Sequence, residues 1–363
     1  MFIFLILMLV PLFIPTIFIP YWTRKTESFG VSIPEEVYVQ SNIKQMRKTY
    51  AWSTSVLAII LTAILAWLGS GMSENKIAGL YTAMIFIFLA ASFALYLFFH
   101  GKMKKLKAQN PDWVKKPQKI TINTQFRHQK LTYSNYWFVI HLAISFATLI
   151  FTLLHFDDIP SRFPMQYDFN GEVTSWSTKS YRSVMLMPIL QIYLTLLMLF
   201  INVVIAKAKQ QVSSANPKES LQKNIIFRRR WSLFTILTGL ALILILTVPQ
   251  LSLFYHIDSK LQLYVPILFT LVICIGAIVL SISTGQGGSR VRSVVSTVNG
   301  DLIDRDDDQH WKLGVFYFNR NDPAIFLEKR FGVGWTNNWA HPLSWIILAA
   351  IIFLATGLPL FLG

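Results

Sequence analysis

The sequence predicts an all-α transmembrane protein with about eight membrane-spanning helices, on the evidence of its apolar runs and its low charge. Hydrophobic residues make up 53% of the 363 residues and charged residues only 14%, against roughly 25% charged in soluble domains. A bilayer core needs about 20 apolar helical residues to cross it. Such runs occur at residues 2–21, 51–69, 79–100, 134–155, 183–205, 231–251, 261–282 and 343–362. None of them contains Asp, Glu, Lys or Arg, which are expensive to place in hydrocarbon.

The first run is expected to be a transmembrane helix and not a signal peptide. No charge precedes Arg24, and no small-residue cleavage site follows the run. Arg24 and Lys25 come directly after it, so the span should insert with its N-terminus outside. Pro11, Pro15 and Pro20 each remove a backbone donor and should kink the helix. This run therefore gives the weakest helical prediction of the set.

Lys and Arg alternate between the loops and predict the orientation. One set of loops carries 28 of the 33 basic residues, and the loops between them carry 5. The basic-rich loops are 22–50, 101–133, 206–230 and 283–342, and the others are 70–78, 156–182 and 252–260. The positive-inside rule makes the basic-rich loops cytoplasmic and places both termini outside. The expected localisation is a multi-pass protein of the plasma membrane.

The net charge of +15 does not predict nucleic-acid binding, because the basic residues lie in short loops with no folded reading module. The Lys102–Lys107 cluster and the Arg228–Arg230 run follow or precede span ends, where anionic headgroups attract them. Membrane lipids are therefore expected partners. Cys274 is the one cysteine, so no intramolecular disulfide is predicted.

Catalytic signatures are missing from the sequence. It contains no H-E-x-x-H, G-x-S-x-G, phosphate-loop or paired Cys-x-x-Cys motif. The chain is therefore not expected to be an enzyme, and no catalytic residue, cofactor or metal site is predicted. No span carries a carboxylate, which disfavours ion-coupled transport. His141 and Asn202 enter spans, and His141 is expected to form a hydrogen bond between helices.

The stretch Gly285–Arg290 follows the seventh span. A flexible exit from the helix is the simpler interpretation. The alternative is a phosphate site, in which the glycines let backbone amides approach the anion and Arg290 and Arg292 complete it.

The long outside loop predicts a small extracytoplasmic β-hairpin at residues 160–177. Asn170-Gly171 is a preferred dipeptide for a two-residue hairpin turn. Phe163, Tyr167 and Phe169 alternate with polar residues before the turn. The aromatic face of this hairpin is expected to lie on the bilayer or on a helix.

The last cytoplasmic loop predicts a second small hairpin at residues 311–330. Two β-rich runs, Val315–Phe318 and Ala324–Leu327, flank an Asn-Arg-Asn-Asp-Pro turn. The preceding acidic run resembles no calcium loop, because it lacks the glycine and the terminal Glu. Its residues, Asp301, Asp304, Asp306, Asp307 and Asp308, are expected to form a solvated linker.

The outside hairpin resembles a known family. Ile159-Pro160, an aromatic residue at Phe163, the run Phe169–Glu172, and Trp176 are similar to the domain of unknown function 1648, whose typical form is I-P-x-H-[FY]-N-x-x-G-x-x-D-x-W. The His position of that form is occupied differently here, with Arg162 nearby. The family includes the SdpI-type immunity proteins, so the resemblance implies a bacterial membrane protein that protects against toxic secreted peptides.

The last loop resembles a second family. Trp311–Asn319, Asn321-Asp322-Pro323 and Gly332–Asn338 are similar to the domain of unknown function 5808, and the opening Thr23–Glu27 is typical of chains that carry both. The predicted regions are a three-span N-terminal region (1–133), the 1648-like region with its hairpin (134–205), a two-span region (206–282), and the cytoplasmic hairpin with the final span (283–363).

The leading functional hypothesis is an immunity or envelope-stress protein that binds a peptide or amphipathic ligand through the outside loop. Aromatic side chains would supply buried contact, and Arg162 and Glu172 would orient the ligand. The predicted ligand-binding residues are Arg162, Phe163, Tyr167, Phe169, Asn170, Glu172 and Trp176.

Two other classes stay open at this stage. A transporter or flippase for a small or lipid-like substrate would use Pro188, Pro249 and Pro266 as hinges in broken helices. A signalling protein would capture a cytoplasmic regulator through residues 283–342.

Overall fold

The computed structural model describes residues 2–115, 118–119, 129–168, 171–211, 217–291, 303–304 and 307–362. In this part of the chain, eight long helices follow the order of the predicted apolar runs. They are α1 (Phe2–Trp22), α2 (Ser41–Gly69), α3 (Glu74–Gln109), α4 (Phe138–Leu154), α5 (Tyr181–Lys207), α6 (Pro217–Leu251), α7 (Ser259–Thr284) and α8 (Pro342–Leu362). A short helix, Asp112–Lys115, follows α3.

Among the described residues, seven helices, α1 to α7, are long and apolar enough to cross a membrane. The eighth, α8, contributes a shorter apolar stretch, Pro342–Gly357. The α1 helix is continuous although Pro11, Pro15 and Pro20 lie inside it, so its helical prediction is confirmed. The predicted all-α membrane fold is confirmed with it.

Small two-stranded sheets accompany the helices. The strands are β1 (Glu27–Ser28), β2 (Val31–Ser32), β3 (Gln118–Lys119), β4 (Arg162–Tyr167), β5 (Val173–Thr178), β6 (Ile303–Asp304), β7 (Trp311–Lys312), β8 (Phe316–Tyr317), β9 (Phe326–Glu328) and β10 (Trp335–Asn337). The pairs β1–β2, β4–β5, β7–β8 and β9–β10 are antiparallel, and β3–β6 is parallel.

The chain divides into two compact units, each built from separate stretches of sequence. The first unit comprises residues 1–129, 208–227 and 275–341, and the second comprises 130–207, 228–274 and 342–363. Helices α1, α2 and α3 pack together in the first unit, and α5 packs against α4 and α8 in the second. The four predicted regions remain a prediction.

The core of the first unit is an aromatic cluster. Phe29, Tyr50, Tyr96, Phe99 and Phe331 are buried together. The ring of Phe331 lies 4.4 Å from that of Tyr96, and the ring of Phe29 lies 5.3 Å from that of Phe99. The cluster joins the loop after α1, the helices α2 and α3, and the segment that precedes α8 (residues 311–341), called the late segment. These elements therefore stabilise one another.

The late segment forms two successive hairpins, and the predicted pairing of 315–318 with 324–327 is wrong. Strand β8 pairs with β7, and β9 pairs with β10. The turn of the first hairpin encloses residues 313–315, because Lys312 pairs with Phe316, and Leu313 and Gly314 in it both have positive φ (54° and 72°). The predicted Asn-Asp-Pro turn lies between the two hairpins instead of inside one.

Candidate functional site

The predicted hairpin is present and is called the outside hairpin after the side of the membrane predicted for it. It closes one residue wider than predicted. Strands β4 and β5 pair from Arg162 with Thr178 to Tyr167 with Val173. The backbone N–H of Asp168 donates to the carbonyl of Glu172 at 2.9 Å, and the N–H of Glu172 donates to the Asp168 side chain at 2.7 Å. The loop therefore encloses three residues, and the predicted two-residue turn is corrected. The last of the three, Gly171, has φ +88°, the conformation that favours glycine.

Phe163 anchors this hairpin. Its side chain is only 3% exposed and lies in a cluster with Ile159, Val184 and Met185. Val184 and Met185 belong to the first turns of α5. Of the two predicted positions for the aromatic face of the hairpin, on the bilayer or on a helix, Phe163 takes the second.

The other predicted site residues are more accessible. Trp176 is 54% exposed and pairs with Pro164 across the hairpin. Arg162 and Glu172 are exposed. Tyr167 is half-buried, and its hydroxyl accepts a hydrogen bond of 3.4 Å from Gln262. The predicted residues Phe169 and Asn170 lie outside the described residues.

Three further residues, which the sequence did not single out, form an aromatic and cationic group beside the hairpin. The rings of Phe156 and Tyr181 stack at 4.2 Å with an angle of 6°. The ammonium of Lys179 lies 4.8 Å from the centre of the Phe156 ring. The Lys179 backbone N–H donates to the carbonyl of Ser161, which holds the group to the start of β4.

The hairpin and its two flanking helices coincide with a known family model. Residues 143–192 match the domain of unknown function DUF1648, and residues 320–345 match the family of unknown function DUF5808. Both family resemblances are therefore confirmed. No curated protein and no solved structure gives a significant match to the chain. Below, residues 143–192 are the DUF1648 region and residues 320–345 the DUF5808 segment.

A line of buried polar side chains runs along α4, α5 and α6 and includes four residues of the DUF1648 region. On α4 they recur every three or four residues, which places them on one helix face. This polar seam consists of His141, Ser145, Thr148 and Thr152 of α4, Gln191, Thr195 and Asn202 of α5, and Ser232 and Gln250 of α6. From His141 to Thr152 it covers about 16 Å, roughly half of the hydrocarbon thickness.

Hydrogen bonds across helices connect the seam. His141 Nε2 lies 3.0 Å from the carbonyl of Ile236, so the predicted interhelical role is confirmed. Gln250 Nε2 donates to Thr152 Oγ1 at 2.9 Å, and Gln191 Nε2 donates to Thr247 Oγ1 at 2.9 Å. Bonds of this kind are expected where polar groups have no water to bind.

At one end of the seam the polar side chains are hydrogen-bonded to one another, whereas in the middle two polar atoms have no hydrogen-bond partner in the described part of the chain. At the end, Asn202 donates to the Asn135 side chain at 2.8 Å and accepts from Ser232 at 2.6 Å. In the middle, Gln191 Oε1 is buried without a hydrogen-bond partner among the described residues, and so is Oγ1 of Thr238, a further buried residue of α6. Only His141 and Asn202 of this seam could be predicted from the sequence, because Ser, Thr and Gln do not interrupt an apolar run.

The DUF5808 segment and the residues before it form an ionic cluster in the first unit. The guanidinium of Arg330, 2% exposed, binds both Asp307 and Asp308. Asp308 also accepts from Lys107 at 2.7 Å and from the Ser32 hydroxyl at 2.7 Å. The solvated linker predicted for the acidic run is therefore wrong for Asp307 and Asp308, because a buried arginine needs their charge.

The surroundings of Asp308 set its ionisation. Burial alone would raise the pKa of this carboxyl, but the Arg330 guanidinium and the Lys107 ammonium hold its pKa well below the usual range. Burial alone would lower the pKa of Arg330, but the carboxylates of Asp307 and Asp308 raise it. Asp308 and Arg330 are therefore both charged at neutral pH.

A second buried pair involves the glycine-rich stretch after α7. Arg24 binds Glu328, and Asn224 donates to Glu328 at 2.7 Å. Gly287, with φ +60°, lies so close that a Cβ there would meet the Arg24 Nη2 at 2.6 Å. Gln286 is fully buried and donates to the carbonyl of Gly334 at 2.9 Å. The stretch is thus an ordered part of the unit and not the flexible exit that was predicted.

No group of three or more His, Cys, Asp or Glu side chains among the described residues is arranged to hold a metal ion.

Proposed function

We propose that this integral membrane protein binds an amphipathic peptide or envelope-stress agent at the outside hairpin, in an immunity-type role at the plasma membrane. The observation that carries the proposal is the two-sided hairpin. Phe163 fixes one face to α5, while Trp176, 54% exposed, stands free on the other. An exposed tryptophan on a paired strand is typical of a binding anchor, since it offers a large contact area at a low entropy cost.

Charge supports the same ligand class. Arg162 and Lys179 lie at the base of the hairpin and Glu172 at its turn. Opposite charges at two ends of an aromatic surface can orient a peptide that carries both signs. The immunity role is proposed from the resemblance to the SdpI-type immunity proteins, and the match to DUF1648 covers the hairpin and parts of its flanking helices.

The experiment removes the exposed indole. Trp176→Ala is expected to weaken binding of a labelled Leu/Lys amphipathic helical peptide by about thirtyfold, the effect of losing about 2 kcal/mol at an anchor residue. The full chain in neutral detergent is titrated with the peptide, and survival of peptide-treated cells that express each variant is scored in parallel. Trp345→Ala is the matched control, because Trp345 is 55% exposed but lies in α8.

Unchanged peptide binding and survival in Trp176→Ala, with normal membrane insertion, would count against the proposal. Equal losses in both tryptophan variants would do the same, because they would point to general membrane adsorption.

The polar seam favours a second candidate, transport of a small or lipid-like substrate. The predicted broken helices do not support it, because Pro188, Pro249 and Pro266 all lie inside continuous helices. The support comes from buried polar groups, which in membrane helices often mark substrate pathways. Ser145→Cys, in a chain with Cys274→Ala, should react with a water-soluble thiol reagent if the seam opens. An unreactive cysteine with and without lipid-like substrates would argue against transport.

A further inference from the structure

A small cavity lies beside the end of α3 in the first unit. Its volume is about 360 Å³, and it is lined by Val31, Lys104, Lys107, Ala108, Pro111 and Asp308. The apolar residues among them are Val31, Ala108 and Pro111. The cavity therefore combines an apolar wall with charged groups at its edge.

The charges at this cavity do not cancel. Lys107 and Asp308 form an ion pair of 2.7 Å, and the second carboxylate oxygen of Asp308 is bound by Arg330 and Ser32. Asp308 thus has no oxygen left for another cation. Lys104 is exposed and has no ion-pair partner among the described residues. One positive charge is left over, and an anion would neutralise it.

The depth of Lys104 in the membrane matches a lipid headgroup. The third apolar run ends at residue 100, and α3 continues as a helix to Gln109. Four residues of helix rise about 6 Å, and the headgroup layer is roughly 5–7 Å thick on each side. The Lys104 ammonium is therefore expected at the level of the phosphates, and Ala108 and Pro111 of the cavity wall lie farther from the hydrocarbon.

We propose that this cavity binds the headgroup of an anionic phospholipid, with Lys104 as the residue that contacts the phosphate. The apolar wall made by Val31, Ala108 and Pro111 takes the carbon atoms of the headgroup glycerol, on the side of the phosphate away from the acyl chains. The Lys107–Asp308 pair closes the polar side and keeps the carboxylate from repelling the phosphate. The proposal is independent of the outside hairpin and its ligand.

The test compares neighbouring lysines on the same helix. Lys104→Gln is expected to weaken binding of dihexanoyl phosphatidylglycerol about fivefold, the effect of one lysine charge at an anionic headgroup. Lys105→Gln is the matched control, since Lys105 is also exposed but does not line the cavity. Ala108→Trp should fill the space and abolish binding with both lysines intact. Titrations use the full chain in maltoside detergent, and gel filtration checks that each variant is folded.

Two further titrations identify the source of the phosphate. Dihexanoyl phosphatidylcholine should bind less tightly than phosphatidylglycerol, and glycerol phosphate should not bind measurably. Glycerol phosphate binding as tightly as the lipid would overturn the lipid proposal in favour of a soluble phosphate ligand. Equal weakening by Lys104→Gln and Lys105→Gln would also overturn it, because the attraction would then be a general surface effect.

Discussion

At the scale of single residues, two arginines of the first unit find their partners far away in sequence. Arg24 meets Glu328, and Arg330 meets Asp308 and the carbonyl of Gly30. A buried charge is stable only when a partner and hydrogen bonds replace water. Each of these residues is therefore a sensitive position, and its partner cannot be inferred from local sequence.

Gly288 should be the most sensitive glycine of the turn after α7. Gly288→Ala is expected to lower the free energy of unfolding by about 3 kcal/mol, because the new Cβ would lie 2.2 Å from the backbone carbonyl oxygen of Lys223, which cannot move aside as a side chain could. The matched control is Gly71→Ala, since Gly71 has φ +87° but nothing within 4 Å of its Cβ position. It should cost only about 1 kcal/mol of backbone strain. Unfolding by SDS in mixed micelles measures both, and equal losses would contradict the contact argument.

Asp308 should make the stability of the first unit fall in acid. Its pKa is lowered in the folded chain, so the stabilisation is complete above the unfolded value of about 3.9 and is lost as the pH falls through the folded value. Stability should therefore be level from pH 7 to about pH 4 with respect to this group, and should decline below. Asp308→Asn should remove part of that decline when detergent-solubilised chain is unfolded at a series of pH values. An identical acid profile in the variant would refute the assignment.

At the scale of elements, the positions of the helices could be predicted from composition, whereas the pairing of the late strands could not. The apolar runs located all eight described long helices, because charge alone excludes a residue from hydrocarbon. The outside hairpin was also predicted, from the alternation around Phe163 and Tyr167. The pairing of the late strands was not, because it depends on Leu313 adopting a positive φ that few non-glycine residues adopt.

The candidate site was only partly predictable for the same reason. Alternation identified Trp176 and Phe163 but did not say which would be exposed, since a two-stranded hairpin has no fixed inner face. The polar seam was not predicted, because its serines, threonines and glutamines carry no charge. Their spacing of three or four residues on α4 was the available signal.

Asn338 joins the two late hairpins. Its side chain is fully buried, donates to the carbonyls of Asn319 and Asp322, and accepts from the Asn319 N–H at 3.1 Å. Asn338→Ala should lower the free energy of unfolding by about 3 kcal/mol, because these backbone groups lose their partner. Asn321→Ala, at an exposed position of the same turn, should change it by less than about 0.5 kcal/mol. Limited proteolysis across residues 319–323 gives a local readout, and a turn that stays resistant in Asn338→Ala would contradict the prediction.

Pro188 and Gln250 should be energetically coupled. Pro188 has no N–H, so the Val184 carbonyl loses its helical donor, and Gln250 Nε2 donates to that carbonyl at 3.2 Å. Gln250→Leu alone should therefore cost about 2 kcal/mol. In a chain that also carries Pro188→Ala, the new N–H at residue 188 takes over the carbonyl, and Gln250→Leu should cost about 1 kcal/mol less. Additive effects in this double-mutant cycle would show that the carbonyl is not the link.

At the scale of the whole molecule, the late segment organises the first unit. The DUF5808 segment contributes Glu328, Arg330 and Phe331, which reach the loop after α1, the start of α6 and the aromatic cluster. Lys209, after α5, also binds Asp322 of this segment at 2.5 Å. A stretch of 26 matched residues thus contacts elements from most of the length of the chain. Deletion of the DUF5808 segment should therefore unfold the first unit.

The orientation in the membrane is the prediction on which the functional proposals depend. Thr174→Cys and Lys105→Cys, each in a chain with Cys274→Ala, place single thiols at exposed positions on the outside hairpin and at the end of α3. Because 28 of the 33 basic residues fall in one set of loops, that set should face the cytoplasm. An impermeant maleimide should therefore label Thr174→Cys in intact cells and label Lys105→Cys only after permeabilisation. The reverse pattern would invert the topology, place the hairpin in the cytoplasm and remove its access to a secreted peptide. It would also move the Lys104 cavity to the opposite leaflet, where anionic lipid is scarcer.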